Sequence, residues 1–115
     1  MKVLIVDDEE DIGFIVSRIL TKNGFTVKYL NRVNSARAEI EENHFDLFLL
    51  DLNLPDGTGF DLIPQIREIN EDAKIIIISA YDSISEIKKA DELETDGFIK
   101  KPFSKQQILD AVADL

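Results

Sequence analysis

The chain has no cysteine and only one histidine among its 115 residues. The absence of cysteine excludes a disulfide framework, a thiol nucleophile and a thiolate metal site. A single histidine leaves almost no material for histidine-based catalysis or for a zinc site. We predict that this residue, His44, lies in a surface loop and has no role in the function.

Basic residues and long apolar runs are also scarce. Lysine and arginine number 13 against 23 acidic residues, which gives a formal charge of −10. A nucleic-acid surface needs clustered basic side chains with few opposing acids, so we expect no direct contact with nucleic acid. No apolar run approaches the roughly 20 residues of a membrane span, and Met1 leads into a predicted strand instead of a signal peptide. We therefore expect a cytoplasmic protein without a membrane partner.

Three apolar runs predict buried strands, namely Lys2–Val6, Leu47–Leu50 and Lys74–Ile78. A run without a polar face is typical of a central strand covered by helices on both sides. Apolar and polar residues alternate over Phe25–Tyr29, which indicates a half-exposed strand at a sheet edge. A short last strand is predicted over Gly97–Lys100.

Apolar residues at helical spacing follow each strand and predict five helices. The acids from Asp7 to Asp11 are suited to cap the first helix, and Asn34 is suited to cap the second. Pro64 is compatible with the third helix only if that helix begins close to Asp61 or is bent in its first turns.

The fourth and fifth helices differ in their predicted packing. Ser104 and Gln107 form a capping box before the fifth helix, which has a full apolar face. The fourth helix is expected to pack lightly and is a candidate mobile element. It has only a narrow apolar stripe, formed by Ile84, Ile87, Ala90 and Leu93.

The order of elements predicts one α/β domain over residues 1–115. Strands joined by helical crossovers form parallel sheets with right-handed connections, and the chain is too short for a closed eight-stranded barrel. The remaining architecture is a doubly wound five-stranded parallel sheet with five helices and strand order 2-1-3-4-5. Its switch point lies between strands one and three.

Polar residues follow four of these strands and should meet at the carboxyl edge of the sheet. Asp7 and Asp8 follow the first strand, Asp51 the third and Ser79 the fourth, while Lys101 follows the fifth. Carboxylates about 4 Å apart repel by about 4 kcal/mol at an effective dielectric of about 20. Positive charge must offset this repulsion.

The residue types at this edge suit phosphoryl transfer. Mg²⁺ takes one or two carboxylates plus a phosphate oxygen, and Lys101 supplies a second, fixed positive charge. An aspartate can attack a phosphoryl group, and metal plus lysine would stabilise the charge on the transferring oxygens. Ser79 is placed to donate a hydrogen bond to the acyl phosphate. The residues therefore predict phosphoryl transfer onto Asp51.

Four motifs in this order and spacing resemble the receiver domain of two-component response regulators, over essentially the whole chain. They are Val6-Asp7-Asp8, Leu50-Asp51 with Leu54-Pro55-Asp56-Gly57, Ser79-Ala80, and Lys101-Pro102-Phe103. The resemblance implies the flavodoxin-like receiver fold.

The resemblance also implies roles for the acidic residues. Asp51 would be the phosphoacceptor of a Mg²⁺-dependent reaction. Asp8, Asp51 and the backbone carbonyl of Asn53 would hold Mg²⁺, and Asp7 would assist through water.

The resemblance also implies which residues contact the phosphoryl group and which act as the conformational switch. Ser79 and Lys101 would contact the phosphoryl group, and Phe98 would be the aromatic rotamer switch. Ser79 would move toward the phosphate while Phe98 turns into the vacated space. The change would be read through the fourth helix, fifth strand and fifth helix.

Partners follow from the same resemblance. The phosphoryl group would come from the phosphohistidine of a histidine kinase or phosphotransfer protein, or from a small donor such as acetyl phosphate. The domain would not be an enzyme, but would catalyse its own phosphorylation and slow dephosphorylation. An effector domain, an output protein and a homodimer through the output face all stay open.

Some positions depart from the family pattern, and three other functions stay open. Glu94-Thr95 replaces the frequent Gly-Ala, so the loop there is expected to differ, while Asn53 and Tyr81 occupy positions associated with phosphate lifetime. The alternatives are a phosphorylation-independent pseudo-receiver, a small aspartyl-phosphate phosphatase, and a nucleotide or flavin binder. The phosphatase would need a cap domain and a second acid two residues after Asp51. The nucleotide or flavin binder would need a glycine-rich loop in place of Asp7–Asp11.

Overall fold

Five parallel strands form one sheet in the computed structural model, which describes residues 1–115. The strands are β1 (Lys2–Val6), β2 (Thr26–Leu30), β3 (Leu47–Leu50), β4 (Lys74–Ser79) and β5 (Gly97–Lys100). Their order is β2-β1-β3-β4-β5, which confirms the predicted topology. No residue of β2 is fully buried, whereas every residue of β3 is, so the prediction of an edge strand and a central strand is also confirmed.

Five helices cover the two faces of the sheet. They are α1 (Glu10–Lys22), α2 (Val33–Glu42), α3 (Ile63–Ile69), α4 (Ile84–Glu92) and α5 (Lys105–Ala113). None of them has the length and apolar character needed to cross a membrane. A 3-10 helix, Gly59–Leu62, precedes α3. Pro64 therefore falls in the first turn of α3, where its missing N–H removes no helical hydrogen bond. The α-helix begins at Ile63, close to Asp61, which confirms the first of the two predicted arrangements.

The core consists of two apolar clusters, one on each face of the sheet. Alternate residues of a strand point to opposite faces, so the apolar runs of β1, β3 and β4 supply both clusters. One cluster packs Leu4 and Leu50 against α2 and α3. The other packs Ile5 and Leu49 against α1 and α5. The sheet is therefore held between two apolar layers, and its strand ends are fixed in position.

Helix caps follow the local prediction at α5 but not at α2. The Gln107 N–H donates to Ser104 Oγ over 3.1 Å, and the Ser104 N–H donates to Gln107 Oε1 over 2.7 Å, which confirms the capping box. The prediction that Asn34 caps α2 is wrong. Its N-cap residue, Arg32, makes no side-chain cap bond.

Asp56, from the turn after β3, caps α2 instead. Its carboxylate accepts hydrogen bonds from the N–H of Val33 over 2.7 Å and from the N–H of Asn34 over 2.9 Å. These bonds to backbone amides lower the pKa of Asp56. A carboxylate with two free oxygens satisfies two helix amides together, so the tertiary contact replaces the local cap.

The fourth helix is packed lightly, as predicted. Ala90 is its only buried residue, while Ile84 is 86% exposed and Ile87 is 48% exposed. A helix with little buried apolar surface opens at low free-energy cost. Its mobility stays a prediction.

The loop between α4 and β5 has a glutamate in a left-handed conformation. Glu94 has a φ of 57°, and the next N–H, of Thr95, donates to Ala90 O over 3.1 Å. Arg67 braces the loop from α3, because its Nη2 donates to Glu94 O over 3.0 Å. The expectation that the loop at Glu94-Thr95 is built differently from the family pattern stays a prediction.

We predict that Glu94→Gly raises the free energy of unfolding by about 0.5–1 kcal/mol, because glycine adopts a positive φ without the Cβ clash. Glu92→Gly is the matched control. It removes the same charge from the last residue of α4, where the backbone is still helical, and should lower stability by up to about 1 kcal/mol. Urea unfolding of both variants measures the difference. Equal destabilisation by both would contradict the assignment of backbone strain to Glu94.

Candidate functional site

All four buried polar or charged side chains of the chain lie at the carboxyl edge of the sheet. They are Asp7, Asp51, Ser79 and Lys101. Backbone bonds between neighbouring strands fix their separation, since Asp51 N donates to Val6 O and Lys101 N donates to Ser79 O, both over 2.9 Å. The structure therefore brings together the residues that the topology was predicted to gather.

Lys101 is shared by three carboxylates. Its Nζ lies 2.9 Å from Asp7 Oδ2, 3.2 Å from Asp51 Oδ2 and 3.0 Å from Glu9 Oε1. One ammonium balances only one of these three negative charges. The acids therefore retain an excess of negative charge in a largely buried setting, which favours binding of a further cation.

The pKa values at this site reflect burial and the unequal charge balance. Burial, together with the neighbouring charge of Asp7, raises the pKa of Asp51 to about 7. Burial also raises the pKa of Asp7, although the hydrogen bond from Lys101 opposes the change. Burial alone would lower the pKa of Lys101, but its bonds to Asp7 and Glu9 prevail and the pKa is raised. Lys101 thus stays cationic.

Close backbone packing holds the loop after β3, which begins at Asp51, in place. The Gly59 N–H donates to Asp51 O over 2.9 Å, and a Cβ on Gly59 would lie 2.4 Å from that oxygen. A side chain at position 59 would therefore displace the loop. The Asn53 N–H donates to Asp51 Oδ1 over 3.3 Å, which places Asn53 beside the Asp51 carboxylate.

Glu9 is part of the cluster, although its sequence position suggested only a helix start. It is the N-cap residue of α1, but its side chain makes no capping hydrogen bond. The prediction that the acids from Asp7 to Asp11 cap this helix is therefore wrong at the N-cap position, although acidic residues do occupy the first turn. The Glu9 carboxylate binds Lys101, and the Glu9 N–H donates to Asp7 Oδ1 over 2.9 Å. The signal available in the sequence was its place two residues after Asp7, in the same loop.

The carboxylates form a set that suits a hard divalent cation. Asp7, Asp8, Glu9 and Asp51 each offer an oxygen, and these oxygens lie within 4.8 Å of one another. Asp8 is exposed, so its carboxylate remains open to solvent, while Asp7 is already bound to Lys101. Oxygen ligands of this kind, with room for water, fit Mg²⁺.

Comparison with known proteins identifies the family. The sequence profile of the response regulator receiver domain matches residues 3–113. The chain belongs to this family. The transcriptional regulatory protein CusR of Escherichia coli strain K12 is 32% identical over 115 residues, which are 100% of this chain and 51% of CusR. Several other curated relatives are likewise about twice the length of this receiver domain.

Two further relatives match the receiver domain closely in extent or in fold. Sporulation initiation phosphotransferase F of Bacillus subtilis is 30% identical, and the match covers 96% of this chain and 90% of that protein. A response regulator protein from Burkholderia pseudomallei, solved with a phosphorylated aspartic acid, calcium ion and citrate, superposes with a TM-score of 0.88. It is 26% identical, and the match covers 96% of this chain and 65% of that chain.

The two residues of the predicted switch lie on adjacent strands of the receiver domain. Ser79 is fully buried and its Oγ accepts the Tyr81 N–H over 3.0 Å. Phe98 is half-buried, pairs with Ile77 across β4 and β5, and packs against the apolar cluster beneath α2 and α3. Their switching roles stay predictions.

The cavities near and far from the acids differ in size. A groove of about 380 Å³ beside the loop after β3 is lined by residues including Asn53, Phe60, Tyr81 and Lys89. A larger cavity of about 1000 Å³ lies at the opposite end of the sheet, around Arg67. The receiver domain therefore has its larger recess away from the acid cluster.

We predict that Asp51→Asn raises the free energy of unfolding of metal-free protein at about pH 8 by about 1–2 kcal/mol, because one of the crowded carboxylates is removed. The folded-state pKa of Asp51, about 7, lies above the ordinary value. The protonated carboxyl thus leaves the full stability in place below about pH 4, and this stability is lost as pH rises from there through about 7. The gain from the substitution should grow over that range in urea unfolding with EDTA.

Asp46→Asn is the control of opposite sign. The hydrogen bond from the Lys2 N–H lowers the pKa of Asp46, and the hydrogen bond with His44 lowers it to a lesser degree. The ionised Asp46 carboxylate therefore stabilises the folded state at pH values above its ordinary pKa. This variant should lose stability at about pH 8. A loss in Asp51→Asn as well, or a gain that does not change with pH, would contradict the charge balance described above.

Proposed function

We propose that this receiver domain accepts a phosphoryl group on Asp51 in a Mg²⁺-dependent reaction. The observation that carries the proposal is the placement of the Lys101 ammonium against both buried acids, 2.9 Å from Asp7 and 3.2 Å from Asp51. That ammonium is already beside the acceptor oxygens, where the charge of a transferring phosphoryl group would develop.

The donor in this proposal is the phosphohistidine of a histidine kinase or phosphotransfer protein, or a small acyl phosphate. A carboxylate oxygen of Asp51 forms the new O–P bond as the bond to the leaving group breaks, and the leaving group keeps the bonding electrons. The similarity to a sporulation initiation phosphotransferase and to a response regulator solved with a phosphorylated aspartic acid supports this chemistry.

The residues around Asp51 have distinct tasks in the reaction. Lys101 exchanges part of its contact with Asp51 for contact with the phosphoryl oxygens. The Ser79 hydroxyl accepts a backbone N–H and so keeps its own proton to donate to the acyl phosphate.

Mg²⁺ would be held by Asp8, Asp51 and the backbone carbonyl of Asn53, with Asp7 assisting through water. When bound, Mg²⁺ supplies positive charge that favours ionised Asp51 and neutralises phosphoryl oxygens. The excess of carboxylates over ammonium groups supports this site.

Turnover of external substrates is not part of the proposal. The groove beside the acceptor is small and the larger cavity lies at the other end of the sheet. The domain would catalyse its own phosphorylation and slow dephosphorylation, and its output would pass to an effector domain, an output protein or a second copy of the chain. CusR is named a transcriptional regulatory protein and is about twice as long as this chain, which supports an effector domain in addition to the receiver.

We predict that acetyl phosphate with Mg²⁺ produces a single base-labile phosphoryl adduct, measured by intact mass. Asp51→Asn and the metal-free sample should give none, since each lacks a part of the proposed centre. Asp72→Asn, which alters an exposed acid between α3 and β4, should behave as the unaltered protein.

The alternatives give different results in the same experiment. Bound Mg²⁺ without an adduct would favour a phosphorylation-independent interaction module. Hydrolysis of many equivalents of acetyl phosphate would favour a phosphatase. Either outcome would overturn the proposal.

We predict that Phe98→Ala leaves the phosphorylation rate within about twofold but removes most of the phosphorylation-dependent change in hydrogen exchange in α4 and β5. The reason is that a methyl group cannot fill the space that Ser79 vacates. Phe103→Ala, at a half-buried phenylalanine on the opposite apolar cluster, is the control and should retain the change. An unchanged exchange response in Phe98→Ala would contradict the switch.

A further inference from the structure

Tyr29 links the edge strand β2 to the acidic loop after β1. Its hydroxyl donates a hydrogen bond to the main-chain oxygen of Asp7 over 2.6 Å. The Asp7 N–H donates to Leu30 O over 3.1 Å, so both peptide groups of Asp7 are tied to β2. Neither bond involves a side chain of the acid cluster, so these contacts act on the loop's backbone.

The ring of Tyr29 occupies space that only a glycine leaves open. Gly13 lies within α1, and a Cβ there would come within 2.3 Å of Tyr29 Cε1 and 2.6 Å of Cζ. Phe14 packs edge-on against the same ring at 5.9 Å between centroids. Glycine inside a helix is otherwise unfavourable relative to alanine. The recess at Gly13 thus has a structural purpose, which is to admit the tyrosine.

The peptide group that accepts the tyrosine hydrogen bond connects Asp7 to Asp8. Fixing its carbonyl fixes the direction in which the chain enters Asp8. The Asp7 carboxylate is held separately, by Lys101 and by the Glu9 N–H. The exposed Asp8 carboxylate has no such contact, so the backbone before it is what limits its position.

We propose that Tyr29 is a positioning residue for the cation site, and that Gly13 is the recess that lets it act. The hydroxyl orders the Asp7-Asp8 peptide before the cation arrives, which lowers the ordering cost of binding. This inference rests on the proposed function, because it concerns the same Mg²⁺ site.

The hydroxyl is a constant donor over the physiological pH range. Burial, with Asp7 and Glu10 next in importance, raises the pKa of Tyr29 to about 12. The hydrogen bond therefore does not depend on pH where the protein would work.

The test is isothermal titration calorimetry, in which metal-free protein is titrated with MgCl₂ at constant ionic strength. Tyr29→Phe keeps the ring and should weaken Mg²⁺ binding by about 3- to 10-fold, the loss expected for one hydrogen bond that orders a ligand. Thr26→Val, which removes an exposed hydroxyl from the same strand, should leave Mg²⁺ affinity unchanged. Urea unfolding of both variants separates a general loss of stability from a loss of affinity.

A double-mutant cycle tests the role of Gly13. Gly13→Ala should displace the ring and weaken Mg²⁺ binding to a similar degree, although the hydroxyl is still present. In a Tyr29→Ala background the recess is empty, so Gly13→Ala should have no further effect on Mg²⁺ affinity and should stabilise the helix.

The outcomes separate this inference from the proposed function. Unaltered protein that fails to bind Mg²⁺ at millimolar concentration would overturn the metal-dependent function itself. Mg²⁺ binding that is normal in the unaltered protein and equally tight in Tyr29→Phe would overturn only the positioning role. If Gly13→Ala lowered Mg²⁺ affinity equally in both backgrounds, the role assigned to Gly13 would be overturned.

Discussion

The ion pairs between Lys101 and its three carboxylate partners are the constraint on which the rest of the site depends. Three carboxylates meet one ammonium in a place where two of the acids, Asp7 and Asp51, are almost completely buried. Burial of an uncompensated charge is costly, so such a cluster persists only when the surrounding fold holds it in position. The apolar layers on both faces of the sheet provide that support. The remaining imbalance favours binding of a further cation, and burial beside Asp7 raises the pKa of the Asp51 carboxyl.

The parallel sheet explains how residues far apart in the chain form this cluster. The pairing of Val6 with Leu50 brings the residues that follow them, Asp7 and Asp51, side by side. The pairing of Ser79 with Lys100 does the same for the hydroxyl and for Lys101. In an antiparallel sheet, neighbouring strands would end at opposite edges, and the acids could not converge in this way. Strand direction is therefore as important to the site as the identity of its residues.

The parts of the fold and site that were predictable depend on patterns within the sequence. Apolar runs gave the strands, and the polar residue after each run gave the members of the cluster. The errors and omissions have a common cause, because each concerns a contact between segments that are distant in the sequence. Asp56 displaced Asn34 as the cap of α2, and Tyr29 reached the main chain of Asp7 from an edge strand that sequence pattern described only as half-exposed. The sequence showed that Gly13 is unfavourable in a helix, but the reason for a glycine at this position is the Tyr29 ring that packs on it, which only the structure reveals.

The two sides of the acid cluster differ in how firmly they are held, and this difference bears on the proposed switch. On the β1 side, Tyr29, Leu30 and Glu9 all bind Asp7, so Asp7 and the backbone that leads to Asp8 have little freedom. On the β4 side, Ser79 leads to α4, whose apolar residues are mostly exposed. The exposed ion pair between Asp82, which precedes α4, and Lys100 of β5 contributes little. A ligand shifts a conformational equilibrium only through its different affinity for the two states, and the segment that moves is the one whose alternative packing costs least. Under the proposed function, phosphorylation of Asp51 would therefore act on α4 and β5, while the metal-binding loop stays fixed.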